Sequence, residues 1–233
     1  MKLRIKFTKS GVMKFIGHLD IMRYFQKAMR RADIDIAYST GFSPHQIMSF
    51  AAPLGVGLES YGEYFDIEAN SVTNADDMKD RLNAVMVDGI HVESIRMLPE
   101  NAGNAMASVA AAKYAVRFVS SYQVPFKLEH AVKVFMEQES IPVTKQTKKS
   151  VKEMDLKPYI YEMSVRDGTV SLFVDASSSG NIKPNLVMET LFKANGQTLP
   201  EFVLQITRTD TYTNTGTAEM PVLVPLGDIG YEF

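Results

Sequence analysis

The feature that most restricts the fold is a change in hydrophobic period, from two to about 3.6 and back, that runs twice along the chain. In residues 3–8, Leu3, Ile5 and Phe7 alternate with Arg4 and Lys6, which predicts a strand with a basic exposed face. In residues 18–32, Leu19, Met22, Phe25, Ala28, Met29 and Ala32 recur at helical spacing, and Arg23, Lys27, Arg30 and Arg31 fall toward the other side. Strand patterns follow over 46–52 and 63–69. A helix is predicted over 74–86, opened by Thr73 or Asn74 with acids in its first turn, and a strand over 89–97. The order strand, helix, two strands, helix, strand is the split arrangement of ferredoxin-like domains.

The second half repeats this order without a residue-level repeat. Residues 99–112 are rich in small side chains and read as a linker. A strand is expected over 113–120 and a helix over 125–138, with Pro125 near its start. Residues 141–156 form a polar, lysine-rich strand and loop. Strands over 159–165 and 169–175 flank Asp167-Gly168, a hairpin turn pair. A helix from Pro184 through 193 and a strand over 201–210 complete the set. The expected fold is therefore α+β, with two tandem ferredoxin-like (βαββαβ) units and antiparallel sheets. The first spans 1–98, the second 113–210, and residues 211–233 are an extended, partly packing tail.

Composition excludes several functions. The chain has no cysteine, so disulfides, thiolate catalysis and an iron–sulfur cluster on its own thiolates are ruled out. The first residues alternate charge without an apolar run, which predicts neither a signal peptide nor a membrane span. A cytoplasmic location is the expectation. Net charge is only −2, but it is segregated. Residues 1–35 carry nine Lys/Arg against three Asp, and residues 36–100 carry ten Asp/Glu against three Lys/Arg.

The densest clues to a site lie between residues 17 and 68. His18 and Asp20 open a helix, and His45 closes the loop that holds Ser39, Gly41, Phe42 and Pro44. Two histidines and an acid can hold a divalent metal or act as acid and base. They can equally cap a helix and bind a loop, and with no third strong ligand a metal is not expected. Arg23, Lys27, Arg30 and Arg31 can track phosphates, or they can be a solvated helix face. Tyr38 and Phe42 can stack on unpaired bases. The Ser39–His45 loop can also cradle an anion with its backbone amides, although it lacks the Gly-Lys-Ser/Thr end of a phosphate-binding loop. Glu59, Glu63, Asp66 and Glu68 read more readily as an exposed strand face than as an acid–base pair. In the second half, Lys183 follows a serine-rich loop at a helix start, and Lys145, Lys148, Lys149 and Lys152 form a second basic group.

These motifs resemble an uncharacterised bacterial family linked to radical SAM proteins, DUF2344. The likeness rests on Gly17-His18-Leu19-Asp20, Arg23, Arg30-Arg31, Ser39, Gly41-Phe42, Pro44-His45, Pro53-Leu54, Gly57, Glu59-Ser60, Glu63-Tyr64 and Asp66. Asp155, Gly180, Pro184 and Arg208 extend it through the second half. Gly17 stands where a serine is usual, so no hydroxyl is available there. Asn181-Ile182-Lys183 replaces a Ser-Leu-Arg-like stretch and keeps one cation. A more distant, topological likeness is to the CRISPR endonucleases that process repeat RNA.

The resemblance implies a partner rather than a reaction. A radical SAM protein would supply SAM and the cluster, and this chain would hold no cofactor or metal. The leading expectation is an accessory RNA- or tRNA-binding subunit for a radical SAM modification enzyme. Arg23, Lys27, Arg30, Arg31 and Lys183 would hold phosphates, and Tyr38, Ser39 and Phe42 would contact an exposed base or partner. His18, Asp20 and His45 would organise the site. The alternatives are a metal-independent RNA endonuclease using His18 or His45, and a protein-only adaptor for the radical SAM partner.

Overall fold

A computed structural model of the chain describes residues 1–146 and 151–233, with the backbone alone at 145, 146, 151 and 152. Of the second basic group, Lys148 and Lys149 lie outside the described residues, as do the side chains of Lys145 and Lys152. The architecture is mixed α+β, with two compact units: Met1–Ala110 with Arg208–Phe233, and Ala111–Thr207.

The first unit begins with β1 (Lys2–Lys9), α1 (His18–Arg31), β2 (Met48–Phe50), β3 (Glu59–Glu68), α2 (Ala75–Asn83) and β4 (Ile90–Met97). Its strands run in the order β4-β1-β3, with β2 also on β3. All three pairings are antiparallel. Register places Leu3 opposite Ile67 and Ile5 opposite Phe65. Strand alternation therefore gathers Leu3, Ile5, Phe7, Phe65 and Ile67 on one face, and the apolar stripes of α1 and α2 cover it. Phe25 of α1 is fully buried, its ring 4.7 Å from Phe7 and 4.6 Å from Phe65. Asn74 caps α2 by accepting from the Asp77 amide at 2.8 Å.

The second unit contains β5 (Ala111–Phe118), α3 (Leu128–Glu137), β6 (Pro142–Gln146), β7 (Val151–Asp155), β8 (Ile160–Arg166), β9 (Thr169–Asp175) and α4 (Pro184–Ala194), and leads into β10 (Leu204–Asn214). The path is β10-β5-β9-β8, and β6 and β7 pair separately. The β8–β9 turn is made by Asp167 at φ 49° and Gly168 at φ 71°. That is the left-handed pair a two-residue hairpin requires, as the Asp-Gly signal predicts. The segment read as a linker does not end where expected: Ala111 and Ala112 already lie in β5 and are fully buried.

Residues after 207 return to the first unit. The end of β10 pairs with β11 (Leu223–Pro225), and Tyr231 bridges Met97 of β4. This return corrects the reading of β1 as a strand with an exposed basic face. Arg4 is 3% exposed. It lies opposite Asp66 in register, binds that carboxylate through two bonds of 2.8 and 2.9 Å, and reaches the Leu226 carbonyl at 3.4 Å. Lys6 binds Asp210 at 2.8 Å. The acidic β3 face is corrected likewise, because Glu63 and Asp66 are buried in ion pairs and only Glu68 remains exposed.

Candidate functional site

The first unit gathers many of the motif residues near the start of α1. Gly17 is the N-cap residue and offers no side-chain cap, while the Ile21 amide donates to the Gly17 carbonyl. His18 is half-buried, and its ring meets Phe50 edge-on at 5.3 Å. Below it lies a narrow crevice lined by Phe7, Lys9, Phe50, Leu54 and Glu63. Strand alternation places Lys9 on the same side as Phe7, where it is 2% exposed. Its ammonium donates to the Ile16 carbonyl at 2.6 Å and so ties the entry of α1 to β1. Glu63 accepts two bonds from Arg208, at 2.8 and 2.6 Å, and Arg208 also donates to the Ala52 carbonyl at 2.8 Å.

Burial sets the charge of His18. Desolvation lowers its pKa, the nearby Glu63 carboxylate opposes that effect, and Lys9 adds to it. Lys9 is lowered too, first by burial, with Glu63 opposing and Arg208 reinforcing. A neutral imidazole can accept or donate one hydrogen bond at the crevice mouth. A pH dependence follows. A histidine whose folded pKa lies below its unfolded value stabilises the protein above the unfolded value, about 6.5, and loses that contribution as pH falls toward the folded value. Thermal unfolding of the wild type should therefore weaken more below about pH 6.5 than that of His18→Gln. Parallel curves for the two proteins would refute the assignment.

The other sequence candidates lie apart from this crevice or from one another. His45 and Ser39 are brought together: the Ser39 hydroxyl sits 2.9 Å from His45 Nδ1 and accepts from the His45 amide at 3.1 Å. Asp20 is directed to Arg23 at 3.4 Å, an exposed pair of little energetic weight. Among the described residues, no three His, Asp or Glu side chains form a metal-binding group, so His18, Asp20 and His45 do not assemble one.

Arg23, Lys27, Arg30 and Arg31 are all exposed on α1. Arg23, Lys27 and Arg30 follow one another at four and three residues, a spacing that sets them in a row along the helix, and Arg31 adjoins the last. Among the described residues Lys27 and Arg30 have no ion-pair partner. Arg31 is more occupied: it donates to the Val85 carbonyl at 3.2 Å and lies 6.0 Å over the Tyr24 ring. Tyr38 is 47% exposed and Phe42 fully exposed. Lys183 is the exposed N-cap residue of α4, in the second unit.

Lys9 is the site residue that sequence reading missed. It follows a strand and precedes Ser-Gly, which looks like the start of a turn. Its burial depends on Glu63 and the Ile16 carbonyl, which no local pattern reveals.

Comparison with known proteins gives a family and little more. A family model described as "Uncharacterized protein conserved in bacteria (DUF2344)" matches residues 2–184. No curated protein matches the chain. One similar solved structure is that of a Cbf5-Nop10-Gar1 complex, at 10% identity and a TM-score of 0.48. That match covers 90% of this chain and 48% of the other, so this chain spans about half of its length.

Proposed function

The chain belongs to the DUF2344 family of uncharacterized bacterial proteins, and on that premise we propose that it is an accessory RNA- or tRNA-binding subunit acting with a radical SAM modification enzyme. The observation that carries this reading is the exposed row Arg23, Lys27 and Arg30 on α1. Cations at helical spacing present point charges at intervals suited to a phosphate backbone, and such contacts position a nucleic acid without reading its bases. Arg31 adds to the row, and Lys183 offers a phosphate contact in the second unit. The exposed rings of Tyr38 and Phe42 supply stacking surfaces for an unpaired base, and Ser39 orients His45 beside them in sequence. His18, Asp20 and His45 organise the site. The chain has no cysteine, so in this reading SAM and the cluster belong to the radical SAM partner.

We read both units as ferredoxin-like. The first has the path β4-β1-β3-β2 and the second β10-β5-β9-β8, with β6–β7 inserted after α3. Each follows a strand–helix–strand–strand–helix–strand order. A cytoplasmic location fits the reading. Among the described residues no helix is long and apolar enough to cross a membrane.

The test is selection from total cellular RNA at two salt concentrations, with crosslinking and sequencing of what is retained. A discrete RNA should be enriched. The Arg23→Glu/Arg30→Glu variant should bind it about tenfold more weakly, with a salt slope reduced by about two, one for each phosphate contact removed. Wild-type affinity in the folded double variant would remove α1 as the RNA face. Absence of any retained RNA, with capture of the radical SAM protein intact, would instead favour the protein-only adaptor.

A further inference from the structure

The second unit holds a groove that the α1 reading does not use. It has a volume of about 850 Å³, is open to solvent, and lies between the β8–β9 turn, the end of β5 and the approach to α3. One wall is aromatic. Phe118, Tyr122 and Phe126 line it, all half-buried. Phe118 and Tyr122 stack at 5.7 Å between centroids, and both rest on the buried Phe192 at 5.9 and 6.4 Å. Phe126 meets Phe192 edge-on at 4.9 Å. This packing fixes the rings without burying them, so they form a stiff surface at low entropic cost.

The rest of the rim carries three cations and two carboxylates. Arg117, Lys127 and Arg166 are exposed. Arg117 donates to the Thr169 hydroxyl at 3.2 Å, which sets its guanidinium at the groove edge. Asp167 and Glu129 are also on the rim. Asp167 lies 3.8 Å from Arg166, but both side chains are 94% exposed, and a pair that open to water yields readily to a phosphate. Lys127 is the N-cap residue of α3. The helix amides that follow it add to the positive end of the groove.

Aromatic faces flanked by separated cations are the recognised chemistry of single-stranded nucleic-acid binding, in which bases stack and phosphates are tracked. A free nucleotide asks for a more enclosed pocket that buries most of its surface. An open groove suits a strand that enters and leaves. We propose that this groove is a second RNA contact, taking an unpaired segment of the RNA with one or two bases against the Phe118–Tyr122 wall and phosphates at Arg117 and Arg166. The proposal rests on the RNA-binding role assigned above and extends it to the second unit.

The test uses the full chain and a roughly 12-nucleotide oligouridylate carrying 4-thiouridine, crosslinked with long-wavelength light and mapped by mass spectrometry. Crosslinks are expected in the peptides containing Phe118 and Tyr122. Arg117→Glu/Arg166→Glu should lower affinity about tenfold and reduce the salt slope by about two. Tyr122→Leu keeps an apolar side chain against Phe118 and Phe192 and should lose about fivefold through stacking alone. Crosslinks confined to α1 and residues 38–45, with unchanged affinity in the groove variants, would overturn the groove and leave the RNA role standing. Crosslinks confined to the groove would support it and displace the α1 row. No crosslink and no measurable affinity would overturn both.

Discussion

Glu63→Ala is expected to lower folding stability by about 3–5 kcal/mol, the range for removing one partner of a buried ion pair. The argument starts from solvent. Arg208 and Glu63 side chains are 4% and 6% exposed, so water screens neither. The carboxylate accepts two bonds from one guanidinium, the fork geometry in which arginine binds a carboxylate best. It also opposes the desolvation of Lys9 and His18. Alanine would leave the Arg208 guanidinium and the Lys9 ammonium buried without that carboxylate, and burying a charge without compensation is the largest penalty a single substitution can impose. Urea unfolding measures the loss, with each unit's transition fitted separately because two units need not unfold together. Glu63→Met/Arg208→Met removes both charges of the pair and should recover part of the stability, the remainder being the cost of the Lys9 ammonium still buried without the carboxylate. A loss below about 1 kcal/mol in Glu63→Ala, the weight of a solvated pair, would show that the cluster is not insulated from water.

The same cluster marks where sequence reading stops. Local periodicity is enough to place β1, α1, β3, β4 and the β8–β9 hairpin within a few residues, because each signal lies within its own segment. The helical phase of Arg23, Lys27 and Arg30 also predicts their exposure. Arg4 and Lys6 carry the same alternation signal as an exposed face and yet are covered or paired, because Arg4 meets Asp66 across the sheet and both are reached by groups from the far end of the chain. Leu226 lies 222 residues beyond Arg4, and Asp210 lies 204 beyond Lys6. Glu63 and Arg208 are separated by 145 residues. Nothing in either local sequence distinguishes a buried charge pair from two solvated residues. Ser39 and His45 are the contrasting case: six residues apart in a loop with Gly41 and Pro44, they fall within reach of local turn chemistry.

Gly62→Ala is expected to cost about 3 kcal/mol, at the upper end for inserting one methyl group where packing leaves no room. A Cβ built at Gly62 would lie 2.4 Å from the Asp210 Cα and 2.6 Å from its carboxylate oxygen. The obstacle is backbone, so no rotamer change relieves it. Either β10 moves away from β3 or the strand distorts. Both disturb a set of bonds converging on Asp210, which accepts from Tyr64 at 2.6 Å, from Lys6 at 2.8 Å and from the Thr211 amide at 2.8 Å. Thr211 returns a bond to the Gly62 carbonyl at 2.9 Å. Tyr64 shows how tightly the seam is closed: burial and the Asp210 charge push its pKa far above the ordinary tyrosine value. Gly55→Ala is the matched control, because its added Cβ meets only Leu58 at an ordinary 3.6 Å. The seam has a functional consequence as well. Arg208, two residues before Asp210, holds Glu63 beneath His18. Moving β10 should therefore weaken the pull of the Glu63 carboxylate on His18 and deepen the depression of its pKa, further below the unperturbed value, about 6.5. An NMR titration of His18 in Gly62→Ala reads that directly. Loss of stability with an unshifted His18 would mean that the β3–β10 seam supports the fold but does not set the charge of the site.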